Sequence, residues 1–189
     1  MTSRSANRAL PSAPSWRSIG RWALLACVTS TFHATPAVAQ DRFALLVEGA
    51  SGEPQYAALH RQWLDELKTL LTERFKVDAA RVIVLADKPG AGETRATAEN
   101  LRSATARLAT SVKADDLLFV FLIGHGSAQT GEAKFNLIGP DLSAAEWAEL
   151  LKPVPGNLAF VNTSSASFPY LAGLSAPGRY AGSPMALDF

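Results

Sequence analysis

Leu117-Leu118-Phe119-Val120-Phe121-Leu122-Ile123-Gly124-His125-Gly126-Ser127 is the most hydrophobic stretch beyond residue 39, and it stops abruptly at a glycine. Seven consecutive apolar residues, entered from Asp115-Asp116, suit a strand buried on both faces, as in a parallel sheet. This stretch predicts the central strand. Working outward, Arg42-Phe43-Ala44-Leu45-Leu46-Val47-Glu48, Arg81–Ala86 and Asn157–Asn162 read as three further strands. Pro54–Lys76 places Tyr56, Leu59, Trp63, Leu67, Leu70, Leu71 and Phe75 at steps of three and four, which predicts one inward helical face. Thr94–Val112 predicts a second helix on Ala98, Leu101, Ala104, Leu108 and Val112, with Thr94 or Thr97 as the cap. Ser143–Leu151 predicts a short third helix with Trp147, Leu150 and Leu151 inward, and Phe135–Ile138 a short strand or hairpin arm. Strands alternating with helices predict an α/β fold, a three-layer sandwich with a mostly parallel sheet and helices on both faces.

Composition agrees with one globular domain: 189 residues, 48% hydrophobic and 19% charged. The formal net charge of +1 gives no sign of a nucleic-acid partner. Residues 1–39 hold Arg4, Arg8, Arg17 and Arg21 and no acid, so the remainder carries 14 basic against 17 acidic residues, a net −3. Arg17 and Arg21, an apolar run from Trp22 to about Val28 and Ala37-Val38-Ala39 form the pattern of an export signal cut after Ala39. Leu24-Leu25-Ala26-Cys27 is a weaker match to a lipoprotein box. The apolar run is too short for a membrane span. A domain over 40–180 and a short irregular tail over 181–189 are expected, with a periplasmic or secreted location. Cys27 is the single cysteine, so the mature chain has no cysteine nucleophile.

In parallel sheets the ligand crevice lies at the carboxyl ends of the strands. Gly49-Ala50-Ser51-Gly52, Gly124-His125-Gly126-Ser127 and Thr163-Ser164-Ser165-Ala166-Ser167 occupy three such ends and should converge. His125, between two glycines, is a candidate for proton transfer. Ser164 or Ser165 is a candidate nucleophile beside it, or simply a capping hydroxyl in a strand-to-helix turn. His60 beside Leu59 and Trp63 reads as structural. With two histidines and no cysteine in the mature chain, no metal is expected. No cofactor is expected either, because neither nucleotide-loop pattern is present.

These residues in this order resemble the caspase–legumain group of cysteine peptidases. Phe43–Gly52 is similar to the legumain-type first strand and loop, Phe121–Gly126 to the strand carrying the catalytic His-Gly, and Phe160–Ser167 to the strand leading to the catalytic cysteine. The resemblance covers most of Phe43–Arg179. It implies that His125 is the general base or acid, that the Gly126 amide contributes to an oxyanion hole, and that Ser164 holds the nucleophile position, with Ser165 the fallback for a turn shifted by one. Serine stands where the family has cysteine, and the tail stops where the family continues into further strands. The fold is therefore expected to be C-terminally incomplete, with Asn157–Asn162 left at a sheet edge open to self-association.

Three functions follow as expectations. The first is a non-catalytic or weakly active relative that binds peptide or protein, with Glu48, Ser51 and Gly52 as substrate contacts and Glu48 suited to a basic side chain. The second is an active hydrolase using a Ser164/His125 dyad. The third is a small-molecule-binding α/β domain unrelated to peptidases.

Overall fold

The computed structural model describes residues 40–129 and 132–183. The expected leader, residues 1–39, lies outside them. Four of the six strands of the main sheet follow the apolar runs, β1 (Arg42–Glu48), β2 (Val82–Ala86), β4 (Leu117–Ile123) and β8 (Asn157–Asn162), and a fifth, β3 (Thr94–Arg95), forms in the stretch expected to begin a helix. The sixth, β9 (Arg179–Gly182), completes the order β3-β2-β1-β4-β8-β9, and every pair is parallel. A second, antiparallel sheet is built from β5 (Gly126–Gln129), β6 (Glu132–Phe135) and β7 (Leu142–Ser143). The helices are α1 (Pro54–Glu73), α2 (Ala98–Ser111), α3 (Ala144–Leu151) and α4 (Phe168–Leu174).

The three-layer α/β sandwich follows from the alternation of side chains along buried strands. On one face of the sheet, Leu45 and Val47 of β1 with Leu118, Val120 and Leu122 of β4 pack against α2, α3 and α4. Trp147 and Phe160 meet edge to face there at 5.9 Å. On the other face, Ala44 and Leu46 pack against Leu64 and Leu71 of α1, with Leu67 partly buried beside them. That second cover is narrower. Phe119 and Phe121 of β4 are only partly buried on it, and Ala159 and Val161 of β8 are likewise half-exposed. At the opposite end of the sheet Asp116 accepts from the Asp41 amide at 3.0 Å and the Lys113 amide at 2.8 Å, which ties β1 to the entry of β4.

Several expectations need correction. The inward face of α1 is His60, Leu64 and Leu71; Tyr56, Leu59, Trp63, Leu70 and Phe75 are instead exposed, at 38–45%. Two apolar stripes run side by side on this helix, and the sheet is wide enough under α1 to bury one. The second helix starts later than expected, because Thr94–Arg95 pairs with β2; Thr97 then caps Ala98 onward, accepting from the Asn100 amide. The hairpin arm sits at Glu132–Phe135, ahead of the expected Phe135–Ile138. The tail is not irregular from residue 181, because Ala181 and Gly182 pair with Phe160 and Val161. Consequently Asn157–Asn162 is an internal strand and β9 is the edge. Among the described residues no helix is long and apolar enough to cross a membrane.

Candidate functional site

Backbone hydrogen bonds draw the three strand ends together. The Gly49 amide donates to the Ile123 carbonyl at 2.9 Å, and the Ala50 amide to the Asn136 carbonyl at 2.9 Å. The Asn136 amide in turn donates to the His125 carbonyl at 3.0 Å, binding the antiparallel hairpin to the turn after β4. From the β8 side, the Thr163 amide reaches the Leu122 carbonyl at 3.0 Å and the Ser165 hydroxyl donates to the Gly126 carbonyl at 3.0 Å. The approach at Gly126 leaves no room for a side chain: a Cβ there would stand 2.7 Å from Ser164 Oγ and overlap the Ser165 carbonyl oxygen. Gly124 is needed for a different reason, since its φ of 149° lies in a region side chains disfavour. The Gly-His-Gly spacing is thus a backbone requirement as well as a chemical one.

His125 is half-buried, and its ring is held from the α1 side. Tyr56 meets it edge-on at 5.0 Å, and the His60 ring lies 5.2 Å away. His60 is 3% exposed, with Nδ1 buried and unpartnered. Burial holds the His60 imidazole below its ordinary range; His125 acts in the same direction and Asp87 opposes it.

Ser164 is 2% exposed, and both of its polar groups turn to one neighbour. Its amide donates to Asn162 Oδ1 at 3.0 Å and its hydroxyl to the same oxygen at 2.7 Å. This is an Asx-type turn, in which a short side chain replaces a backbone acceptor. The Ser164 amide and hydroxyl are therefore both committed internally, and no hydrogen bond joins His125 to Ser164 or Ser165. Ser165 is exposed, ahead of Ala166 at a φ of 58°.

Glu48 and Ser51 do not line this crevice. They fall on the β2 side of β1, in an open cavity of about 300 Å³ shared with Asp87 and the first turns of α1. Gly52 is exposed, with a φ of 71°, and acts as the turn residue that lets Ser51 face inward. The candidate residues thus form two groups: His125, Gly126, Ser164 and Ser165 at the β4 and β8 ends, and Glu48 with Ser51 at the β1 and β2 ends. Tyr56, His60, Asn162 and Asp87 complete these groups and were not singled out as site residues from sequence. For Asn162 the spacing Asn-x-Ser after an apolar strand was an available signal. Among the described residues no cluster of three metal-ligating side chains occurs.

No family model and no curated protein matches the chain. Among solved structures it is similar to protein GSU0716 from Geobacter sulfurreducens, with a TM-score of 0.51 and 15% identity over 66% of this chain and 50% of that one. The chain thus spans about half the length of that protein, and the likeness supports the α/β fold alone.

Proposed function

We propose that this chain is an exported, non-catalytic relative of the caspase–legumain peptidases that binds a peptide or protein segment across the ends of β4 and β8. The observation that carries this reading is the Ser164 hydroxyl, buried and donated to Asn162 Oδ1. Nucleophilic catalysis needs a base within hydrogen-bond reach of the hydroxyl and a third group orienting that base. Here the imidazole is flanked by an aromatic ring and a second histidine, and serine lacks the low pKa that makes a thiolate easy to form. Beside His125, Tyr56, Leu59 and Trp63 leave an exposed apolar stripe on α1. A stripe of that kind suits apolar side chains of a bound segment.

A fluorophosphonate probe applied to the full chain should label neither Ser164 nor Ser165, while an immobilised peptide library should retain binders that Tyr56→Ala and Trp63→Ala release. In Ser164→Cys, the thiol at that position should alkylate no faster than a free thiol, and adding His125→Ala should change nothing. A second reading rests on Ser165, whose exposed hydroxyl lies against the His-Gly turn. Probe labelling lost in Ser165→Ala or Ser164→Ala would establish a residual hydrolase and overturn the proposal.

A further inference from the structure

The cavity between the ends of β1 and β2 carries chemistry that the strand-end crevice does not use. Two residues of its lining each hold a buried polar atom without a hydrogen-bond partner: Glu48 Oε2, on a residue 3% exposed, and Ser51 Oγ, on a residue 1% exposed. A buried polar group left unpaired bears its full cost of desolvation, and a greater one when it is a charge. Asp87, whose carboxylate accepts from the Ser51 amide at 3.3 Å, adds a second acid to the same wall.

From this arrangement we infer that the cavity is a binding site for an aliphatic cation, an ammonium or guanidinium carried on an alkyl stem. The head would sit between Glu48 and Asp87 and donate to Ser51 Oγ. The stem would lie along Pro54, Ala57 and Ala58, the apolar wall supplied by α1. The inference deepens the reading of Glu48 and Ser51 as ligand contacts, and it does not depend on the roles given to His125 and Ser164.

The surrounding charges leave room for a guest cation. Arg61 lines the cavity, but its guanidinium is already shared between Glu93, at 2.7 and 2.9 Å, and Asp65. Lys88 stands exposed at the lip. His60 lies near enough to feel Asp87, and burial disfavours its charged form. The groups facing the cavity and the ion pairs they join are thus four carboxylates (Glu48, Asp65, Asp87 and Glu93) against three cations (Arg61, Lys68 and Lys88). Two carboxylates and one hydroxyl are few ligands for a divalent ion, and no three-residue metal cluster occurs among the described residues. An apolar wall is of no use to a metal, whereas it suits methylene groups.

Burial is the largest influence on Glu48 and raises its carboxyl above the ordinary range; Arg61 opposes this, the Asp87 charge adds to it, and the Asp87 backbone opposes it. An ammonium beside the carboxylate favours the ionised form, so binding tightens as pH rises through the Glu48 titration.

The test is calorimetric titration of n-pentylammonium into the full chain, repeated at rising pH. One site is expected, with an affinity that does not fall as pH rises. Glu48→Gln should weaken binding by about tenfold, the equivalent of ~1.4 kcal/mol, and Asp87→Asn should weaken it less. Ala57→Leu keeps every charge and the helix but fills the wall, and it should also weaken binding; it decides the matter should Glu48→Gln fail to fold. An N-acetyl-lysine peptide that binds more tightly than pentylammonium identifies a protein side chain as the source of the cation, and equal affinity identifies a free amine. Loss of lysine-free peptide binding with pentylammonium binding intact would sink the proposed function and leave this site standing. Absence of any pentylammonium binding, unchanged affinity in both Glu48→Gln and Ala57→Leu, or displacement of pentylammonium by calcium would overturn the cation site.

Discussion

Replacing Gly126 by alanine tests the contact on which the strand-end crevice rests. The added Cβ would overlap the Ser165 carbonyl oxygen and stand 2.7 Å from Ser164 Oγ, against about 3.4 Å for ordinary contact. The obstacle is backbone, so no rotamer change relieves it. Ser165 is moreover anchored by its own hydroxyl to the Gly126 carbonyl, and Ala166 beyond it already sits at a φ of 58°. Overpacking of this kind costs about 1–3 kcal/mol, and a rigid backbone obstacle places Gly126→Ala at the upper end. For a domain of this size ~3 kcal/mol lowers Tm by about 6–12 °C. Gly182→Ala is the matched control. Its Cβ would lie 4.0 Å from the Phe160 carbonyl, ordinary van der Waals contact, and its φ is not in the left-handed region. That variant should be neutral or gain about 0.5 kcal/mol from a less flexible unfolded chain. Thermal unfolding followed by circular dichroism reads both. Equal melting temperatures for the two variants would mean that the turns after β4 and β8 do not abut, and the site drawn here would lose its basis.

Other outcomes follow from the buried polar groups. Burial disfavours the charged form of His60, so the stability this residue allows is present above its ordinary value of 6.5 and lost as pH falls below it. His60→Gln should therefore narrow the gap between urea midpoints measured at about pH 8 and about pH 5; an unchanged gap would show that His60 charges freely in the native state. Glu48 works in the opposite sense, because its raised pKa gives stability below the ordinary value of 4.5 that is lost as pH rises. Glu48→Gln should thus be more stable than the parent by about 1 kcal/mol near neutral pH, with the difference closing near pH 4; a less stable variant at neutral pH would refute this. Ser143→Ala removes the capping box that Ser143 forms with Glu146 and should cost about 1 kcal/mol by denaturant unfolding, with no effect on peptide binding.

The strands buried on both faces were legible because their environment leaves few options: Leu117–Ile123 has no polar position to turn outward. The helical stripe of Pro54–Lys76 was legible as helix but not as orientation. Tyr56, Leu59, Trp63 and Leu70 compete with His60, Leu64, Leu67 and Leu71 at the same spacings, and the chosen side is set by the sheet, not by periodicity. β9 was invisible because Arg179-Tyr180-Ala181-Gly182 has no apolar run; an edge strand with one neighbour asks little of its side chains. At the site, the meeting of the turn at Gly126 with Ser164 and Ser165 follows from parallel topology and could be anticipated. The commitment of Ser164 to Asn162 was signalled only by the Asn-x-Ser spacing, and its geometry depends on the rotamer of a single buried amide. The separation of Glu48 and Ser51 from His125 likewise depends on which side of β1 the loop after it turns.

The order of strands has a kinetic consequence. β1 lies between β2 and β4, and its bond to the entry of β4 spans 75 residues, from Asp41 to Asp116. The sheet's middle therefore cannot close until roughly half of the domain has searched for its place, and no two-residue hairpin nucleates it, since all its pairs are parallel. Chains dominated by such distant pairings refold in milliseconds to seconds, far slower than helical bundles of equal length. During that interval the apolar segments of β4 and β8 stand unpaired, so the yield of refolding should fall steeply with protein concentration while the rate does not.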